Sequence, residues 1–224
     1  MQPYFLPYLG YWQLIKAVDK FVVYDDVTYI KGGWINRNKL LIAGEKKLFT
    51  ISLVGASSFK FINEITIGDD FSRLMKTIQI NYAKAPYFRQ AKDLIEAMVR
   101  FESRNLAEFI ANSFRVILDY LDIGTELLIS SSLKLGFGLK GQDRVMSICE
   151  SLRASEYYNA IGGQKLYNKS EFSSHGIRLS FLKTNNEIDK QFGSNFVPDL
   201  SILHVLMFYS PERVTAMLNN YELV

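Results

Sequence analysis

Cysteine and histidine are almost missing from this sequence: among 224 residues there is one cysteine, Cys149, and there are two histidines, His175 and His204. A single thiol forms no internal disulfide, and three such residues far apart in sequence do not make the closely spaced ligand set of a structural zinc site. No resident metal is expected, although the pair Asp25 and Asp26 leaves a place for a loosely held magnesium. Long hydrophobic runs are missing as well. None reaches the roughly 18 residues that span a bilayer, and the N-terminus carries no basic stretch followed by an apolar one. Neither membrane insertion nor export is signalled, so a reducing, cytoplasmic setting is expected. Charge of one sign is also lacking. Lys plus Arg number 26 against 23 Asp plus Glu, a formal charge of +3, which is too slight for a protein that holds nucleic acid by neutralising phosphates.

What is present is a globular composition, 48% hydrophobic and 22% charged, in a chain long enough to bury a core. Tyr11, Leu14, Ile15 and Val18 recur at helical spacing, and residues 21–24 form a short apolar run ending in Asp25 and Asp26. So uniformly apolar a run reads as a strand buried on both faces, as in a parallel sheet covered by helices. Segments 39–42 and 47–53, joined through Ala43, Gly44 and Glu45, predict a hairpin, and 62–67 alternates like a half-exposed strand. Three amphipathic stripes follow over 70–121, with Pro86 suited to the first turn of the second, and Asn105 with Glu108 a capping pair for the third. Strands return at 126–130, 156–161 and 177–182, separated by a helix bearing Val145, Ile148, Cys149 and Leu152 and by a short one at 169–173. Asp199 and Ser210 are expected N-caps of two closing helices, with Pro211 in a first turn. The expectation is an α/β fold in one domain over 1–224. It has a mostly parallel, Rossmann-like sheet from strands near 21, 47, 126, 156 and 177, and an all-helical insertion or cap over 70–121.

Ligands of open parallel sheets collect at the carboxyl ends of the strands, which directs the search for chemistry to four loops. The opening stretch 2–11, QPYFLPYLGY, holds two prolines, a glycine and three tyrosines before a helix. Either it presents backbone N–H groups and tyrosine hydroxyls to an anion, or its rings simply pack the loop onto the sheet. Asp25 and Asp26 end a buried strand shortly before Trp34, Asn36, Arg37 and Lys39. A carboxylate there suits a base or a partner for an amine, and Arg37 suits a phosphate or carboxylate; the alternative is a structural pair. Gly136, Gly138, Lys140, Gly141, Asp143 and Arg144 approach a helix but lack both the P-loop ending and the dinucleotide spacing. Lys140 and Arg144 either meet phosphate oxygens or belong to a solvated loop. Neither histidine has a nucleophile or acid at triad spacing, and Cys149 shares an apolar helix face, so nucleophilic catalysis is not supported.

Taken together, QPYFLPYLGY, FVVYDDV and WINRNKL resemble the signature of the WbqC-like protein family, and GQDRVMSICESL, EYYNAIGGQKLY and VPDLSILHVLMFYSPE are similar to its later pattern. By that resemblance Gln2, Pro3, Tyr4, Pro7, Gly10, Asp25, Asn36 and Arg37 stand at the family's most distinctive positions, with Gln191 and Ser201 at later ones. His204 stands where relatives are expected to carry an aspartate. The resemblance also leads us to expect a short apolar strand ahead of Gln2. Tyr8-Leu9-Gly10-Tyr11 falls where nucleotidylyltransferases with a His-x-Gly-His signature bind phosphate, so a nucleotide-binding fold is implied without that chemistry. The implied setting is O-antigen, lipopolysaccharide or other surface-polysaccharide biosynthesis. Two functions follow as expectations: a transferase placing an acyl or aminoacyl group, glycyl among them, on the amine of a nucleotide-activated sugar, or a non-catalytic nucleotide-sugar binding or scaffold subunit. In the first, Asp25, Asp26 and Arg37 are the catalytic candidates, and Gln2, Tyr4, Gly10, Tyr11, Asn36, Lys140, Arg144 and Gln191 bind substrate. The partner is a small molecule and not nucleic acid; no cofactor is indicated.

Overall fold

A computed structural model of the chain describes residues 1–136, 138–185, 191–192 and 196–224. Its N-terminal part contains α1 (Leu9–Lys16), β1 (Lys20–Val23), the hairpin β2 (Arg37–Ile42) and β3 (Glu45–Thr50), and the short strands β4 (Leu53–Val54) and β5 (Thr66–Ile67). Three helices follow: α2 (Ser72–Tyr82), α3 (Phe88–Val99) and α4 (Leu106–Tyr120). Strand and helix then alternate through β6 (Glu126–Ile129), α5 (Ser130–Leu133), α6 (Gly141–Ser151), β7 (Glu156–Ala160), α7 (Lys169–Ser174) and β8 (Arg178–Thr184). The chain closes with α8 (Ile202–Phe208), α9 (Pro211–Met217) and β9 (Tyr221–Leu223).

The fold is mixed α/β, but its described strands pair in small sheets and not in one continuous sheet. β1 runs parallel to β6, with Phe21 opposite Leu127; β7 runs parallel to β8, which pairs antiparallel with β9. The strand expected near 47 lies in the antiparallel β2–β3 hairpin and joins neither parallel pair. Its cause is local: Ala43 and Gly44 take φ of 51° and 80°, the left-handed turn that matches the twist of two paired strands. The alternation at 62–67 yields a 3-10 turn, Ile62–Glu64, followed by the two-residue β5. Beside β1 runs the first residue of the chain. The Met1 nitrogen donates to Val22 O at 2.7 Å and Tyr24 N donates to Met1 O at 2.7 Å, the bonding of a parallel neighbour.

The stripes over 70–121 fold as α2, α3 and α4, with no described strand among them. Leu106, Phe109, Ile110, Phe114 and Ile117 of α4 are all buried, and Asn105 caps it by accepting from Ala107 N and Glu108 N. The other half of the expected capping pair is redirected, because Glu108 takes its hydrogen bond from Ser103 Oγ at 2.5 Å. At α8 the cap is Ser201, not Asp199: its hydroxyl accepts from Leu203 N, while Asp199 sits at φ 55° before it. Ser210 caps α9 with Pro211 in the first turn.

Helix α1 is buried from Leu9 through Ile15, as expected of a helix packed on more than one side. It packs against β7 and β8 while its side chains join the main core, which also takes in β1, β2 and helices α2 to α4, α8 and α9. A second, smaller core consists of Met146, Cys149, Phe172, Ile177, Leu179 and Phe181. Gly10 allows the close approach of α1. A Cβ there would lie 2.5 Å from Thr184 Oγ1 and 2.7 Å from the Tyr8 ring. Alanine ordinarily stabilises a helix over glycine by about 1 kcal/mol. Gly10→Ala is nevertheless expected to lower stability by about 1–3 kcal/mol in urea denaturation, since overpacking outweighs propensity at such distances; a stabilised variant would refute this packing role.

Candidate functional site

The residues singled out from the sequence fall into two groups. At the carboxyl ends of the parallel pair β1 and β6, Asp25 is 2% exposed and receives four donors. Ser130 Oγ and Ser131 N reach its Oδ1 at 2.8 and 2.9 Å, and Ser131 Oγ and Asn63 Nδ2 reach its Oδ2 at 2.6 and 3.0 Å. Ser130 Oγ also accepts from Asp25 N at 3.1 Å and lies against Asp26 Oδ1. One hydroxyl proton thus faces two carboxylates and serves one of them at a time. Asp26 is ion-paired with Arg144, whose guanidinium also donates to Asp26 O at 3.2 Å and stands 4.9 Å from the centre of the Tyr24 ring. The Asp26 side chain is 19% exposed, so it is the more accessible of the two carboxylates. Asp25 also reaches a pocket of about 250 Å³ shared with Phe101, Ile129 and Arg115.

The second group surrounds Trp34, a ring 45% exposed. The Arg37 guanidinium lies 5.5 Å and the Lys39 ammonium 4.8 Å from its centre. Among the described residues neither cation has an ion-pair partner, and Arg37 Nε is buried without a hydrogen-bond partner. Tyr4 stands 6.2 Å from Trp34. Burial and the neighbouring Tyr8 raise the Tyr4 pKa despite the opposing pull of Arg37, so its hydroxyl remains a proton donor at neutral pH. Tyr4 and Trp34 line a cleft of about 1110 Å³ that extends between β1 and β7.

The remaining candidates have structural duties. Asn36 is buried, accepting from Tyr29 OH at 3.0 Å and donating to Ile51 O at 2.7 Å. Tyr11 donates to Gln2 O at 2.7 Å and so ties the half-buried Gln2 to α1. Gln191 clips both backbone groups of Val197 at 2.8 Å. Gly10 serves packing, and Lys140 is exposed at the N-cap of α6. Phe137 of the glycine-rich approach lies outside the described residues. Sequence reasoning missed Ser130, Ser131 and Asn63, which hold Asp25, and Asn38, whose amide fastens the opening loop at Leu6 O. The serine run directly after a strand was the available signal for the first two.

The isolated residues are equally defined. Burial pushes the Cys149 thiol up to about 11, leaving it un-ionised. His175 pairs with Glu150 at the surface. His204, 1% exposed, binds Tyr82 OH through Nδ1 at 3.0 Å, and burial lowers its pKa to about 4. Among the described residues no three of His, Cys, Asp or Glu gather as a metal site, and no helix is long and apolar enough to cross a membrane.

Comparison with known proteins places this arrangement in a family. An uncharacterized protein of Mycobacterium tuberculosis is 27% identical over 211 residues, covering 92% of this chain and 90% of that protein. No solved structure matches the chain. The model of the WbqC-like protein family matches residues 2–216, so the chain belongs to the WbqC-like protein family.

Proposed function

We propose that the protein binds a nucleotide-activated amino sugar and promotes transfer of a small acyl or aminoacyl group, glycyl among them, to the sugar's amine in surface-polysaccharide synthesis. The observation that supports this most directly is the group around Trp34: two cations that meet no carboxylate and a buried guanidinium N–H that meets no acceptor among the described residues, and a half-exposed indole. A diphosphate answers both charges and supplies the missing acceptor, while a base or sugar ring lies on the indole. In the transfer, the amine nitrogen forms a bond to the activated carbonyl carbon and the bond from that carbon to the donor's leaving group breaks. The amine proton passes to a carboxylate, a role that suits Asp26 better than the saturated Asp25.

A second reading, a non-catalytic binding subunit, is favoured by one observation: Asp25 has both oxygens filled and Asp26 is already paired with Arg144. Titration calorimetry of a sugar nucleotide, the free sugar and the free nucleotide, followed by mass spectrometry with several activated acyl donors, separates the two. Arg37→Ala is expected to weaken binding of the sugar nucleotide about 10- to 100-fold, with the melting temperature shifted by no more than about 2 °C. Asp26→Asn should abolish product formation while leaving binding within about 3-fold. Binding without product in the wild type establishes the second reading; if no sugar nucleotide binds, both readings fail.

A further inference from the structure

Phe59 is 97% exposed, more than any other large apolar side chain among the described residues. It stands at the tip of a turn that is held in shape, since Lys60 N donates to Ser57 O at 3.1 Å and Phe59 N to Ser57 Oγ at 3.2 Å. A second turn lies beside it. Gly33 N donates to Ile30 O at 2.9 Å, and Gly32 between them takes a φ of 75°. The two segments are joined by an antiparallel bridge between Thr28 and Phe61, with Tyr29 N donating to Lys60 O at 2.9 Å and Ile62 N to Val27 O at 3.0 Å. The next step of that register is Ile30 on one segment and Phe59 on the other, so both turns project from the same end. Alternation sets Ile30, Phe59 and Phe61 on one face, all three exposed, and turns Tyr29 to the other, where it is buried.

The charge around these tips is of one sign. Lys31 and Lys60 are exposed within the turns themselves, and neither is in an ion pair among the described residues. From Val27 to Asn63 there are six basic side chains and one acidic one, Glu45, which pairs with Lys47 at the β2–β3 turn. Glu64, just beyond, is turned onto Phe61 N at 2.7 Å. A chain with a formal charge of only +3 thus concentrates its basic excess where its rings are most exposed. Three side chains on two narrow turns fall short of the roughly 800 Å² per partner that a stable protein interface buries. A lipid interface asks for less, because it yields around single rings while lysines beside them meet its phosphates.

We infer that the turns at 30–33 and 57–60 form a docking surface for an anionic lipid bilayer, with Phe59 and Ile30 entering the interface, Phe61 beside them, and Lys31 and Lys60 on the headgroup phosphates. The pairing of an apolar face with unopposed lysines on two adjoining turns carries the inference. The contact is shallow and needs no crossing helix. Trp34 follows the second turn directly and comes to lie at headgroup depth, a level that suits an indole. The cations Arg37 and Lys39 around it then open beside the membrane.

The test floats the full chain with vesicles of phosphatidylcholine alone and of phosphatidylcholine mixed with phosphatidylglycerol. No sugar nucleotide is present, so the result is independent of the transfer proposed above. The mixed vesicles are expected to carry the protein and the neutral ones far less. Of the two tryptophans Trp12 is buried and Trp34 exposed, so a blue shift of the emission on the mixed vesicles reports on Trp34. Phe59→Ser should weaken binding about 10-fold, and Lys31→Ala with Lys60→Ala about 25-fold on the mixed vesicles. Both should shift the melting temperature by no more than about 2 °C, since the altered side chains are exposed. Phe59→Leu, which keeps an apolar tip, should bind within about 3-fold of the wild type. Failure of the mixed vesicles to carry the protein, or equal binding by Phe59→Ser, overturns the inference. So does a dimer that depends on Phe59 in gel filtration while vesicles stay unbound, which would assign the turns to a second copy of the chain.

Discussion

Asp25→Ala is expected to lower folding stability by about 3–5 kcal/mol, at the upper end of what a single substitution does. The carboxylate is buried, and four donors converge on it from three residues: Ser130 and Ser131 after β6, and Asn63 in the 3-10 turn. Removing it strands those donors at a cost of about 1–3 kcal/mol for each that finds no replacement, and leaves a cavity as well. Asp25→Asn keeps the volume but sets an amide N–H against a donor, so about half of that loss is expected. Urea denaturation checks both. Wild-type stability in Asp25→Ala would mean that water replaces the carboxylate readily and that the site is more open than its packing indicates. For the transfer proposed above, lost activity in an Asp25 variant would report on the junction of β1 with α5, and Asp26→Asn is the substitution that tests the proposed proton transfer.

Acid is expected to destabilise the protein through His204, beginning well above the range in which carboxylates protonate. In the unfolded chain this imidazole titrates near its ordinary value of 6.5, and in the fold burial lowers it to about 4. Between these values the unfolded state binds the extra proton, so stability falls as pH falls. The contribution is complete above pH 6.5 and is lost by pH 4, about 3 kcal/mol in all. Tyr82 OH shares a hydrogen bond with Nδ1 at 3.0 Å and accepts from Leu41 N at 2.8 Å, and burial of the ring disfavours its charged form. The Met1 amine shifts in the same direction, so the informative quantity is the difference between wild type and His204→Gln. That difference in melting temperature should change between pH 6.5 and 4 and be flat above; a flat difference throughout would place the ring's pKa near its unfolded value.

The helices were the most legible part of the sequence because periodicity reports burial on one side, and α2 to α4 have that geometry. The hairpin at Ala43 and Gly44 was legible from its turn, but assigning its second strand to a parallel sheet required knowledge of pairing that periodicity does not carry. Strand direction was read correctly at 21 and 126 and at 156 and 177, which form the parallel pairs β1–β6 and β7–β8. The candidate site was harder for a related reason. Asp25 was visible as a strand-end carboxylate, yet Ser130, which donates to it, lies 105 residues away, and the serine run after a strand does not say which carboxylate it meets. Likewise Arg37 and Asp25 appeared as one cluster by proximity in sequence, and the turn at Gly32 and Gly33 carries the chain toward Trp34 instead. His204 illustrates the opposite case, since a helix position alone could not distinguish a surface ring from one buried against Tyr82.

The second core has a dynamic consequence. Met146, Cys149, Phe172, Ile177, Leu179 and Phe181 pack among themselves, and their elements are fastened to the main body by α1, by Leu182 and Tyr158 against the main core and by the Arg144–Asp26 ion pair. A unit with its own small core and few fastenings opens at lower free energy than the whole molecule, as a separate cooperative unit. Part of the binding energy of any ligand touching both Trp34 and the β7 side would then be spent on holding that unit closed. Affinity would rise with every substitution that fastens the unit more firmly, even one remote from the ligand.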